Sequence, residues 1–285
     1  MRLLLIGNND GPLRLARAIH RHPVHRVVAV GLQRHTEVLA AALAPYCSLV
    51  RATPDEKAVG ALADEVEFDW LVNCFANFKY RYLHRRYPSL NVHPTPLPRY
   101  RGRHPLQWAL INGEREFGIS LHQLTDDFDD GPIYWQGLLP VVPGWSAVEL
   151  REALLLLLEK HWPAFLDGLT AGLAPLPNDA ACATYVTRRS PADSILRDWD
   201  NRDRLWRKIK ALRHDTHPAV LLHGDQQYTI SDTELDDRFF VGFQPGKVVG
   251  KASGRRAIVC GDGRTLWLIG NFDRASLNIN DTIDT

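Results

Sequence analysis

Asn91 and His93 sit one residue apart at the end of the short apolar run LNVH, and Pro94, Pro96 and Pro98 follow. In an extended strand alternate side chains share a face, so Asn91 and His93 point the same way. The prolines force a stiff, extended loop after them, and Arg101-Gly102 closes it. A carboxylate, Asp129, arrives from the turn Asp126–Gly131 behind the later run Gly118–Thr125. An amide donor, an imidazole and an acid suit acyl transfer to an amine. Asn91 can stabilise a developing oxyanion, a role worth ~3–4 kcal/mol of barrier. His93 can carry a proton, and a carboxylate beside it is expected to orient the imidazole and raise its pKa. No covalent nucleophile stands out, so direct attack by the amine is the simplest course.

The elements that must position these residues show as an alternation. Arg2–Gly7, Arg26–Leu32, Phe68–Phe75 and Leu90–His93 read as strands, with Pro12–His20 and Glu37–Ala44 helical between them. That order predicts βαβ units and an α/β fold with a largely parallel, doubly wound sheet, whose ligands bind at the carboxyl ends of the strands. Gly118–Thr125 and Pro132–Val142 predict two further strands, and Ser146–Leu169 one long amphipathic helix. Ala171–Thr184, rich in small residues and proline, reads as a linker, so the boundary is placed near Thr187. Beyond it Asn201–Arg213 predicts a helix. The runs Ala219–Leu222, Gln227–Ile230, Phe239–Phe243, Lys247–Val249, Ala257–Val259 and Thr265–Ile269 predict a small, mostly antiparallel barrel of OB-like type. Asn278–Thr285 is polar and expected to fray.

Bulk properties exclude several classes. The chain has 285 residues, 45% hydrophobic and 24% charged, with a formal net charge of +1, so nothing global demands nucleic acid or an anionic membrane. The leucine run Leu154–Leu158 falls far short of the ~20 apolar residues of a bilayer span. Leu3–Ile6 is too short for the core of a secretory signal. Cys47, Cys74, Cys182 and Cys260 form no CxxC pair, which argues against zinc or redox motifs and predicts a reduced, cytoplasmic setting. The acidic run at 126–131 lacks the alternating ligands and distal Glu of a calcium loop, so no metal is expected. The turn Gly7–Gly11 is not GxGxxG, which disfavours a nicotinamide oxidoreductase.

The segment Leu90–Gly131 resembles the folate-dependent formyltransferases, whose signature reads roughly N-x-H-x-S-x-L-P-x-x-R-G, followed by a strand and an acidic D-x-G turn. This chain supplies Asn91, His93, Thr95 in place of serine, Leu97, Pro98, Arg101 and Gly102, then Asp129 and Gly131. The resemblance implies that Asn91, His93 and Asp129 are catalytic, that residues 1–187 form a Rossmann-like catalytic domain, and that 188–285 form the second domain. It implies 10-formyltetrahydrofolate as cosubstrate, held near Asn77, Phe78, Tyr80, Leu97 and Asp127. The stretch Arg101–His122 is similar to enzymes that formylate nucleotide-linked 4-amino sugars, through Arg101, Gly102, Pro105, Trp108, Leu110, Asn112, Gly113 and Glu114. On that likeness Arg101, Gly102, His104 and Trp108 are expected at the acceptor. Methionyl-tRNA, another small amine, or hydrolysis of the formyl donor are the alternatives. From Arg188 onward 16 Lys/Arg stand against 14 Asp/Glu, a balance of +2 that disfavours a tRNA-gripping face. A homodimer is a compatible assembly.

Overall fold

The computed structural model describes residues 1–273 and 277–283. Two compact units emerge: residues 1–102, 116–139 and 152–186 form one, and residues 103–115, 140–151 and 187–285 the other. The division is therefore not a single cut near 187, because two earlier segments group with the C-terminal residues.

The first unit begins with β1 (Arg2–Gly7), α1 (Gly11–Ile19), β2 (Arg26–Leu32), α2 (Glu37–Leu43), β3 (Val50–Ala52), α3 (Glu56–Glu65), β4 (Trp70–Cys74), α4 (Leu83–Arg86), β5 (Ser89–His93) and β6 (Arg101–Gly102). After α5 (Pro105–Asn112), which belongs to the second unit, come β7 (Glu116–Gln123) and β8 (Ile133–Pro140). The main sheet runs β3-β2-β1-β4-β5-β7-β8. Its first five strands pair in parallel and β7 lies antiparallel to β5. Leu3, Leu4, Leu5 and Ile6 of β1 are all fully buried, the continuous apolar run that a parallel strand covered on both faces requires. Chain order reverses between β1 and β4, which makes the carboxyl ends of β1, β4 and β5 the place where such sheets open a crevice.

Local chemistry sets the helix starts. Thr36 accepts from the Leu39 amide at α2 and Asp55 from the Ala58 amide at α3, each satisfying a helix-end donor. Ser146 and Glu149 cap α6 (Ala147–Thr170) reciprocally, the Ser146 amide donating to Glu149 Oε2 at 2.7 Å and the Glu149 amide to Ser146 Oγ at 3.3 Å. No helix of the described residues is long and apolar enough to cross a membrane. A two-residue parallel ladder joins β6 to β9 (Tyr185–Val186).

In the second unit α7 (Arg202–Ala211) packs on a five-stranded antiparallel sheet. That sheet comprises β10 (Ala219–His223), β11 (Gln226–Asp236), β12 (Val248–Ala252), β13 (Arg255–Val259) and β14 (Thr265–Gly270), in the order β10-β11-β14-β13-β12. Trp199, Leu205, Ile209, Leu221, Ile258 and Leu268 form its core. Two expectations are corrected. Phe239–Phe243 is not a strand: Phe239 and Val241 are exposed, and the segment is an irregular connection. The end is not frayed through Ile283, which is 1% exposed and whose amide donates to the Gly246 carbonyl at 3.0 Å. Residues 284–285 lie outside the described residues.

Candidate active site

β4, β5 and β7 carry the polar cluster, and register explains it. Asn91 of β5 pairs with Asn73 of β4 on one side and with His122 of β7 on the other, while His93 pairs with Ser120. Five polar residues thus share one face of three adjacent strands.

Asp129 completes the group. Its Oδ1 lies 3.2 Å from His93 Nδ1 and 3.6 Å from His122 Nε2. Its Oδ2 accepts the Gly102 amide at 3.0 Å, and the Asn91 Nδ2 donor is 3.5 Å from Oδ1. Asp129 occupies left-handed backbone, φ +57°, a conformation that Asp and Asn tolerate better than most residues. Two glycines make the approach possible. A Cβ on Gly102, at φ +108°, would lie 2.3 Å from the Val186 carbonyl oxygen, and one on Gly131 2.1 Å from that of Gln123. Neighbouring acids have other partners: Asp130 accepts from Thr125 Oγ1, and Asp126 pairs with His84 and Arg85.

Electrostatics departs from expectation at His93. Burial is the largest influence and lowers its pKa below the usual histidine value; the nearby Asp129 carboxylate opposes this and does not win. His93 therefore rests neutral at pH 7. Asp129 feels burial first, which would raise its pKa, yet the nearby His93 ring and the Gly102 amide hold it below the ordinary carboxylate range. With Asp129 ionised, the neutral His93 carries its proton on Nδ1, and Nε2, 3.4 Å from the Tyr100 carbonyl, carries the lone pair. His122 is fixed in the other sense. Its Nδ1 lies 2.9 Å from the Gln123 carbonyl, which can accept only, so its Nε2 takes the Asn91 N–H at 3.0 Å.

A formyl transferase family model matches residues 3–164. The chain belongs to that family. A methionyl-tRNA formyltransferase of Kosmotoga olearia is 32% identical over 175 residues, covering 61% of this chain and 56% of that protein. HypX from Aquifex aeolicus, solved with tetrahydrofolic acid, superposes with TM-score 0.65 at 18% identity, covering 94% of this chain and 43% of HypX. An N-formyltransferase from Helicobacter canadensis, solved with folinic acid and dTDP-3-aminofucose, gives TM-score 0.70 at 15% identity, over 94% and 98% of the two chains. This family member thus spans about half the length of the curated relative and less than half of HypX.

The remaining expected residues are placed as follows. Asn77 is exposed, its amide donating to Gln33 Oε1 at 2.7 Å; Phe78 is half-buried against Tyr80; Asp127 is exposed. Leu97 is buried, its carbonyl accepting from Gln136 Nε2 at 2.9 Å. Tyr80 is 3% exposed and its hydroxyl donates to Asn73 Oδ1 at 3.2 Å. Arg101 is buried, and its guanidinium donates to Asn178 Oδ1 at 2.7 Å and to the Tyr185 hydroxyl at 3.3 Å. In the second unit His104 Nδ1 accepts the Arg189 amide at 3.0 Å, and Trp108 Nε1 donates to the Thr187 carbonyl at 2.9 Å.

Two members of the cluster carry no role in the sequence reading. His122 had a signal, since in GISLH the alternate positions 120 and 122 are polar, as on a strand with one polar face. Asn73 had a fainter one: an amide inside the apolar run WLVNC must find partners once buried.

Proposed function

We propose that this chain transfers the formyl group of 10-formyltetrahydrofolate to the primary amine of a nucleotide-linked amino sugar, of the 4-amino-4,6-dideoxy type. The Asn91–His93–Asp129 cluster at the sheet's carboxyl edge, its His93 and Asp129 buried, in a chain of this family, carries the reading. Asn77, Phe78, Tyr80, Leu97 and Asp127 line the folate side, and Arg101, Gly102, His104 and Trp108 serve the acceptor side, by direct contact or by supporting the loops that make it.

The neutral amine attacks the formyl carbon, and the carbonyl oxygen becomes an oxyanion facing Asn91 Nδ2. Neutral His93 takes the proton released by the amine on Nε2. The imidazolium so formed is stabilised by Asp129 at Nδ1 and by the Tyr100 carbonyl at Nε2. Collapse of the intermediate breaks the bond to N10 of the folate, and His93 returns its proton to that leaving nitrogen. The rigid Pro94–Pro98 loop keeps the reacting atoms aligned.

The acceptor reading is supported by the Arg101–Glu114 pattern and by the state of the basic helix. Arg202 pairs with Asp262, Lys210 with Asp232 and Arg213 with Glu149, while Arg207 and Lys208 donate to the backbone carbonyls of Ile111 and Ile195. Cations so engaged do not offer phosphates the free basic face that tRNA binding demands. The 32% identity to a methionyl-tRNA formyltransferase favours the second reading.

The test is release of tetrahydrofolate from 10-formyltetrahydrofolate against UDP-, dTDP- and GDP-linked 3- and 4-amino sugars, methionyl-tRNA and small amines. Turnover with one sugar nucleotide supports the proposal. Turnover with methionyl-tRNA alone moves the acceptor to tRNA, and release without any acceptor makes the chain a hydrolase of the donor.

A further inference from the structure

We propose that Asn73 is a positioning residue for this reaction, locking the Asn91 carboxamide so that its NH2 group, not its oxygen, faces the reacting centre. The inference rests on the role given to Asn91 above.

A carboxamide presents either its oxygen or its nitrogen after a half-turn, and the two faces have opposite effects on an oxyanion. Something must therefore fix the choice at Asn91. Asn73 is 5% exposed, and its Nδ2 lies 2.7 Å from Asn91 Oδ1 and 3.4 Å from the Ala76 carbonyl oxygen. A backbone carbonyl only accepts, so Asn73 must turn its NH2 toward it. The Tyr80 hydroxyl donates to the other end, Asn73 Oδ1. With its orientation settled from two sides, Asn73 presents a donor to Asn91 and so claims the Asn91 oxygen. Asn91 Nδ2 is then left on the side of His122 Nε2 and Asp129. His122 agrees, because its Nε2 is an acceptor. Backbone carbonyls thus fix both ends of the chain Asn73–Asn91–His122, at Ala76 and at Gln123.

Asn73→Leu keeps the volume and removes the amide. With 10-formyltetrahydrofolate and dTDP-4-amino-4,6-dideoxyglucose as first probes, kcat is expected to fall roughly 10- to 100-fold, with KM for the folate within about twofold. Tyr80→Phe is expected to lose less. In an Asn91→Ala background Asn73→Leu should cause no further loss, because the residue it acts through is gone. In isotope-labelled protein the Asn91 side-chain NH2 resonance, assigned by its absence in Asn91→Ala, should shift in Asn73→Leu whatever the acceptor. An unshifted resonance, or an equal loss of kcat with and without Asn91, would overturn the inference. Full turnover in Asn91→Ala alone would instead sink the role of Asn91, and the resonance would still decide the Asn73 contact.

Discussion

Asp129→Asn is the sharpest single test of the proton path. Asparagine keeps the shape and, unlike alanine, suits the left-handed backbone at φ +57°. The substitution therefore removes charge with little added strain. In the proposed step a positive imidazole forms 3.2 Å from Asp129 Oδ1. At an effective dielectric of about 20, two unit charges at that separation attract by roughly 5 kcal/mol. The amide dipole and local reorganisation recover part of this. A loss of about 2.5–5 kcal/mol corresponds to roughly 10²- to 10⁴-fold in turnover. The sign of the pH effect is also fixed. Asp129 raises the His93 pKa against the stronger lowering by burial, so neutralising Asp129 lowers it further. The acidic limb of turnover, where His93 loses its lone pair to a proton, should move to lower pH. Steady-state tetrahydrofolate release across pH measures both. Turnover within tenfold of the parent enzyme, or an acidic limb moved upward, would refute the reasoning.

Other outcomes follow from the same geometry. In the parent protein kcat/KM should rise with pH through a limb below about 6.5, the ordinary histidine value, because burial holds His93 lower; a limb above that value would contradict a neutral resting imidazole. Gly102→Ala forces a Cβ to within 2.3 Å of the Val186 oxygen at φ +108°. It should cost about 1–3 kcal/mol in urea unfolding and lower turnover as well, since the amide serving Asp129 must move. Arg256→Leu removes a 1% exposed guanidinium that donates to the carbonyls of Leu277, Ala252, Arg255 and Asp273. Stranding those acceptors should lower unfolding free energy by roughly 2–4 kcal/mol, read from denaturant midpoints.

The Asn91–His93–Asp129 grouping was legible because its signals are local. Period-2 geometry aligns Asn91 with His93, and Gly131 marks the turn that delivers Asp129. Asn73 stands 18 residues away on another strand, and only the β4–β5 register brings it to Asn91. The direction of the His93 shift was misjudged for a related reason. A charged neighbour can be inferred from a motif, whereas the degree of burial depends on everything packed around the ring. In the second unit the failure at Phe239–Phe243 is instructive: aromatic and β-branched residues read as a strand, yet among the described residues no partner strand takes up the segment and two of its large side chains stay in solvent. Ile283 shows the converse, one apolar residue in a polar tail finding a core position.

Asn178 has a consequence for any attempt to move this site between proteins. Its Nδ2 donates to the carbonyls of Asp129 and Gly131 at 2.9 and 3.0 Å, while its Oδ1 receives Arg101. Tyr185 and Val186 hold Arg101 and Gly102 from the same stretch. All three lie beyond residue 164, where the family match ends. A fragment cut at that limit would keep every residue of the trio and lose the clasp that sets the carboxylate's angle. Grafts and chimaeras should therefore carry residues through Val186 as one cassette, because what looks like connecting sequence is part of the tooling.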